Sequence, residues 1–285
     1  MEQNSLNMFR RLRFDPIEMG SSDYVFLIVN ADDYCYSEGV SRGILETIRN
    51  GIVTATSVLA NGSNFEKHIS TLLDVECLDI GVHLTLTSGK PLTKKMRDLV
   101  SFNNCEFPKS KAKMAGAILS GKIKARDVYS EWKAQIQRCR QSGVAIKFLN
   151  SHEHLHCLPL LLKVVRHLMH EHNIPYLRNP TAEWFGFPNI GGLSRNIILQ
   201  FLYLLNYRYS DNFTPTLLGV NKSGKLDLGY FERRLPTLQK GKAYELMCHP
   251  GLPDLNDKID AHLLAYHDWK GELDALSNEP LLNLC

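Results

Sequence analysis

The stretch Tyr24–Gly51, YVFLIVNADDYCYSEGVSRGILETIRNG, decides how the rest of the chain is read. Its first seven residues are a short apolar run rich in β-branched side chains, the pattern of a strand buried on both faces of a parallel sheet. Two aspartates follow, Asp32 and Asp33, and then the periodicity changes. Ser37 is placed to cap a helix and Gly51 to stop it, while Val40, Ile44, Leu45 and Ile48 recur at helical spacing. A strand, a polar junction and an amphipathic helix make one βα unit.

The same alternation runs outward from it. Ile52–Asn61 (IVTATSVLAN) reads as a second strand and Leu78–Thr87 (LDIGVHLTLT) as a third. Ala125–Gly143 is a long amphipathic helix, Ile146–His152 (IKFLNSH) the next strand, and Leu158–Asn173 the helix after it. Tyr244–Gly251 (YELMCHPG) is a late strand running into a Pro-Gly turn. Strands alternating with helices imply parallel βα units, hence a doubly wound sheet or a barrel. With no internal repeat, low-complexity tract or clear linker, residues 24–285 read as one domain, and residues 1–23 as a flexible N-terminal extension.

Composition narrows the setting. The 285 residues are 44% hydrophobic and 22% charged, ordinary globular material. A formal charge of +3 is too small for the concentrated basic face that nucleic acid requires. Seven cysteines without a C-x-x-C pair suit free thiols in a reducing compartment. The first 24 residues lack the apolar core of a signal peptide. These features point to a soluble, cytoplasmic protein.

In parallel α/β folds functional groups gather where strands end. Four polar clusters occupy that place here: Asp32-Asp33, His83, the histidines of Asn150–His156 (NSHEHLH), and His249. Each has a bland reading: a helix cap, a core histidine, a polar loop, a turn residue. Together they supply carboxylate and imidazole, the ligand set of a hydrolytic divalent metal. On an extended segment His152, His154 and His156 would share one face, but three of them cannot meet one ion that Asp33 and His83 also bind.

The stretches Asn30–Gly62, Ile80–Leu92, Ser151–Pro159 and Tyr244–Gly251, in that order, resemble the YdjC-like carbohydrate deacetylases, which include chito-oligosaccharide deacetylases. The resemblance runs from about Val25 to Gly251. It implies a distorted (β/α) barrel, one divalent metal, and removal of acetyl from an N-acetylated sugar. By position it makes Asp33, His83 and His152 the metal ligands, Asp32 the general base and His249 the general acid. His154 and His156 are left to the substrate pocket or to loop structure. Arg178 is a candidate to brace Asp32 or meet substrate, and Trp184, beside Phe185, a candidate platform for a sugar ring. The ligand set favours zinc, cobalt or nickel, whereas the resemblance implies magnesium.

Two departures from the family stand out. Cys35 replaces a usual glycine, and Phe148 and Asn150 replace two polar residues of a His-x-Asp-Ser-His pattern. Rival readings are another hydrolase on the same barrel, or a sugar-binding protein without catalysis. The apolar segment Ile197–Leu205 is too short to span a membrane and reads as a buried helix. Its alternatives are a surface for a glycolipid at the inner membrane face, helped by Arg10, Arg11 and Arg13, or a homodimer interface.

Overall fold

The computed structural model describes residues 9–11, 23–185, 190–206, 215–257, 259 and 261–282. Among them are eight strands: β1 (Phe9–Arg11), β2 (Val25–Tyr34), β3 (Ala55–Val58), β4 (Asp79–Leu84), β5 (Ile146–Ser151), β6 (Tyr176–Leu177), β7 (Thr216–Leu218) and β8 (Ala243–Cys248). The helices that matter below are α1 (Glu38–Asn50), α2 (Ala125–Gln141), α3 (Pro159–Glu171), α4 (Ile190–Asn206) and α5 (Trp269–Leu276).

Seven strands form one sheet in the order β6-β5-β4-β3-β2-β8-β7, and every pairing is parallel. β1, inside the stretch expected to be an extension, pairs in parallel with the first residues of β2. The sheet curls. Tyr176 and Arg178, on and just after β6, hydrogen-bond Glu245 of β8 across the concave side, with four strands between them in the sheet. Beneath them Phe26, Ile28, Ala55, Phe148, Tyr176 and Ala243 form a second apolar cluster inside the curl. The helices cover the outside, where most of the core lies. The expected distorted (β/α) barrel is the fold observed, open between β6 and β7 among the described residues.

Local sequence explains the elements nearest the site. Ser37 caps α1 by accepting the amide of Val40. β2 runs longer than its apolar stretch, through both aspartates, with an irregularity against β3 between Ala31 and Tyr34. Phe148 is fully buried, and a Cβ on the neighbouring Gly81 would fall 2.4 Å from its ring, so the absent side chain makes room for the phenyl group. In place of a polar residue, Phe148 is therefore core. On α2, Gln135 bonds both backbone groups of Thr85, two residues past His83, and fixes the end of β4.

One expectation fails here. Ile197–Leu205 does lie in a helix, α4, but the helix is not buried: Ile197, Ile198, Phe201, Leu204 and Leu205 are exposed. No helix among the described residues is long and apolar enough to cross a membrane. The described cysteines are all free thiols.

Candidate metal and catalytic site

Three side chains from three strand ends converge. Asp33 Oδ1 lies 3.0 Å from His152 Nδ1 and 3.2 Å from His83 Nε2. One ligand atom from each of the three lies within 4.8 Å of the other two. Burial opposes charge on His152, but the Asp33 carboxylate outweighs it and lifts the imidazole to about 9. Burial likewise opposes charge on Asp33, and the two histidines overcome it and hold the carboxyl well below its ordinary range.

The donor set passes a test for a divalent ion at one atom in particular. His83 Nε2 is buried and lacks a hydrogen-bond partner, a state that ordinarily costs free energy. The reason lies on the other side of the ring. In register on β5, Asn150 places its Oδ1 2.7 Å from His83 Nδ1. The Asn150 amide nitrogen donates to Asp32 Oδ1 and to Ser57 Oγ. A carboxylate can only accept, so the amide orientation is fixed, and His83 must carry its proton on Nδ1. Nε2 then offers a lone pair toward Asp33 and His152, the arrangement of a metal-ligating histidine braced from behind.

Asp32 points elsewhere. Its Oδ1 accepts from Asn30 at 2.6 Å, Ser57 at 3.0 Å, Asn150 at 3.0 Å and Arg178 Nη2 at 2.9 Å, and its Oδ2 accepts from Arg178 Nη1 at 2.6 Å. Burial alone would raise the Asp32 carboxyl, but the Arg178 guanidinium more than cancels this and keeps it ionised far below the usual range. Arg178 is fully buried, with its third nitrogen on Glu245 Oε1 at 2.8 Å. It thus braces Asp32, and no face of it is open to substrate.

The three histidines of NSHEHLH do not lie on an extended segment. β5 stops at Ser151, and His152–Cys157 forms a 3-10 turn in which Glu153 and His154 take left-handed φ of 55° and 56°. His152 joins the triad. His156 is a satisfied core histidine: its Nε2 donates to the Arg178 carbonyl at 2.8 Å and its Nδ1 meets Ser151 Oγ, while burial lowers it to about 4. Its role is structural, holding the backbone of Arg178. His154 lies edge-on to it, 6.5 Å between rings, and its Nδ1 lacks a partner.

His249, at the end of β8, is buried, and its Nδ1 also lacks a hydrogen bond. Burial lowers its imidazole, opposed by the charges of Asp32 and Asp33. Its ring packs 4.9 Å from His267, which stacks on Trp269, and its backbone amide donates to the buried Glu272 of α5. Trp184 stands 60% exposed, whereas Phe185 packs on Tyr230 beneath Arg234.

Sequence reading missed Ser57, Glu245 and Glu272. Glu245 carried a signal, as the one acid inside an otherwise apolar strand. Glu272 sits at helical spacing among buried residues of α5, where it passes for a surface position.

Residues 26–285 match the model of a family described as YdjC-like protein. A carbohydrate deacetylase of Clostridium beijerinckii is 33% identical over 256 residues, which cover 90% of this chain and 93% of that one. One of Geobacillus stearothermophilus is 30% identical over 230 residues, covering 81% of each. A solved structure from Enterococcus faecalis V583, described as a candidate cellobiose-phosphate cleavage protein, superposes with a TM-score of 0.66 at 27% identity, covering 90% of this chain and 92% of that one.

Proposed function

Because the chain belongs to the YdjC-like protein family, we propose that it is a metal-dependent carbohydrate deacetylase, hydrolysing the acetamido group of an N-acetylated sugar to amine and acetate. The observation that carries this reading is the pairing of a ligand triad with a separately braced carboxylate, Asp32. Asp33, His83 and His152 are the ligands. The donor set suits zinc, and magnesium is the alternative that the family resemblance implies. A divalent ion held there would polarise the acetamido carbonyl and acidify water.

The chain's own residues do the rest. Asp32, ionised by Arg178, takes the proton of the attacking water. The nitrogen must be protonated as the C–N bond breaks, and we assign that donation to His249, which is buried within the field of Asp32 and Asp33. Burial makes its imidazolium a stronger acid than an exposed one. Asn150 and Ser57 hold both the base and His83 in position, and His154 and the exposed Trp184 are left to meet the sugar.

Acetate release from N-acetylated chito-oligosaccharides, measured with and without chelator, tests the reading. Release that stops with chelator and returns with added Zn²⁺ or Mg²⁺ supports it. Release unaffected by chelator, or sugar binding without release, overturns it.

A further inference from the structure

α4 is amphipathic in the wrong sense for a surface helix. Three of its polar side chains face the fold: Asn196 bonds the backbone of Glu183, Arg195 reaches the Val220 carbonyl and the Tyr266 hydroxyl, and Asn206 donates to the Cys157 carbonyl. Its large apolar side chains face out. Leu193, Ile197, Ile198, Phe201, Leu204 and Leu205 are 43–63% exposed, and Ser194 is the only other exposed residue among the described side chains of the helix. At 100° per residue the six fall within one continuous arc, opposite Asn196 and Leu199. Such a patch is on the order of 600 Å², at the top of the range for a monomer's largest apolar patch.

We propose that α4 docks this protein on a lipid bilayer, lying flat on its outward face, so that the sugar is met as the headgroup of a glycolipid. Several observations select a bilayer over a second copy of the chain. From Trp184 to Ser210 the sequence has no Asp, Glu or Lys, and Arg195 is turned into the fold. A face without acidic groups is not repelled by the anionic surface of a membrane. The sequence flanking the helix is aromatic, with Trp184, 60% exposed, before it and Tyr207 and Tyr209 after it, residue types enriched at membrane–water boundaries. At 17 residues α4 does not qualify as a membrane span, so it lies on the surface.

The location fits a headgroup substrate. Asn206 anchors α4 to the turn that carries His152 and His154. Arg195 anchors it to Tyr266, whose ring packs on His267 beside His249. The apolar face therefore belongs to an element fastened to both sides of the site. The glycolipid half of the proposal rests on the deacetylase reading; the docking half does not.

The full chain and its Phe201→Ser/Leu204→Ser variant are sedimented with mixed phosphatidylcholine–phosphatidylglycerol vesicles. Acetate release is measured from a soluble N-acetyl-chito-oligosaccharide and from an N-acetylglucosaminyl lipid in the same vesicles. The wild type should bind vesicles, and the variant should bind about tenfold less or worse. The variant should keep its activity on the soluble sugar and lose it on the glycolipid. Wild-type protein left in the supernatant, or equal sedimentation of the variant, overturns docking. So does a dimer by light scattering that the variant converts to monomer, because a second copy would then cover the face. Equal activity of both proteins on the glycolipid overturns the substrate half. Failure of the wild type to release acetate from either sugar overturns the deacetylase reading, and the substrate half with it, while sedimentation still decides docking.

Discussion

Replacing Arg178 with methionine should move the pH dependence of the reaction, and the size of the shift follows from the geometry. The guanidinium meets both oxygens of Asp32, at 2.6 and 2.9 Å, and one of Glu245 at 2.8 Å, with no exposure of its own. One buried cation thus compensates two buried carboxylates. At an effective dielectric of about 20, charges about 4 Å apart interact by about 4 kcal/mol, equivalent to about 3 pH units. Without Arg178, the burial that already pushes Asp32 upward is opposed by His83 and His249 and by the neutral donors Asn30, Ser57 and Asn150, with no full positive charge in contact. The base should then be largely protonated at neutral pH. We expect acetate release by Arg178→Met at pH 7 to fall by about tenfold or more and to recover as pH rises; in the wild type Asp32 should add no acid limb near neutrality. The sign for stability is also fixed. A carboxyl lowered on folding contributes stability above its unfolded value that is lost as pH falls through the folded one, and the variant forfeits it, at about 3–5 kcal/mol for a broken buried pair. Arg178→Lys keeps the charge, folds more readily, and should show a smaller shift in the same direction. An Arg178→Met enzyme with the wild-type pH profile would refute the assignment of Asp32 as base.

His83→Ala and His152→Ala should lose bound metal and activity together, read by metal analysis of dialysed protein. Asp32→Asn should keep the metal while kcat drops by ~10²–10⁴-fold. Asn150→Leu strips His83 Nδ1 of its acceptor, and titration with Zn²⁺ should show affinity weakened by ~10–100-fold; unchanged affinity would remove Asn150 from the site. Glu272 predicts the opposite pH trend to Asp32. Burial raises it from 4.5 to about 8, so the stability it contributes is full below 4.5 and lost as pH rises through about 8. The unfolding free energy from urea titration should therefore fall with pH in the wild type by an amount on the order of a few kcal/mol, with a flatter profile in Glu272→Gln.

Much of this was legible in the sequence because its signals are local. The apolar run before Asp32, the cap at Ser37 and the spacing within α1 specify a βα unit without reference to anything distant, and strand ends mark where polar groups collect. Asp33, His83 and His152, the candidate triad, stand at such strand ends, and the family resemblance singled them out among the polar residues there. The brace behind them was not legible. Asn150 and His83 are partners through strand register, Arg178 reaches Asp32 and Glu245 across the curl of the sheet, and Glu272 meets His249 from a helix late in the chain. Those pairings depend on curvature, which no single segment encodes. α4 misled for a related reason: an apolar run looks the same whether its face turns toward a core or toward another apolar phase.

Adjacent aspartates on a regular strand should point to opposite faces, yet here Asp32 meets the brace and Asp33 meets the histidines within one site. The backbone resolves this. Asp33 has φ of 69° and Cys35 of 72°, both left-handed and so costing about 1–2 kcal/mol each for residues with a side chain. The irregularity between Ala31 and Tyr34 lies at the same place. The twist turns Asp33 out of the strand's alternation and toward His83 and His152, while the Asp32 carboxylate accepts hydrogen bonds from the side chains of Ser57 and Asn150. Glycine, which the family resemblance leads one to expect at position 35, would take that conformation without strain. Cys35 is held there instead by full burial and by its amide donating to Ser41 Oγ. At the other ligand-bearing turn, Glu153 and His154 are left-handed as well. Strain thus sits on both sides of the triad, where regular strands could not have aimed carboxylate and imidazole at one point.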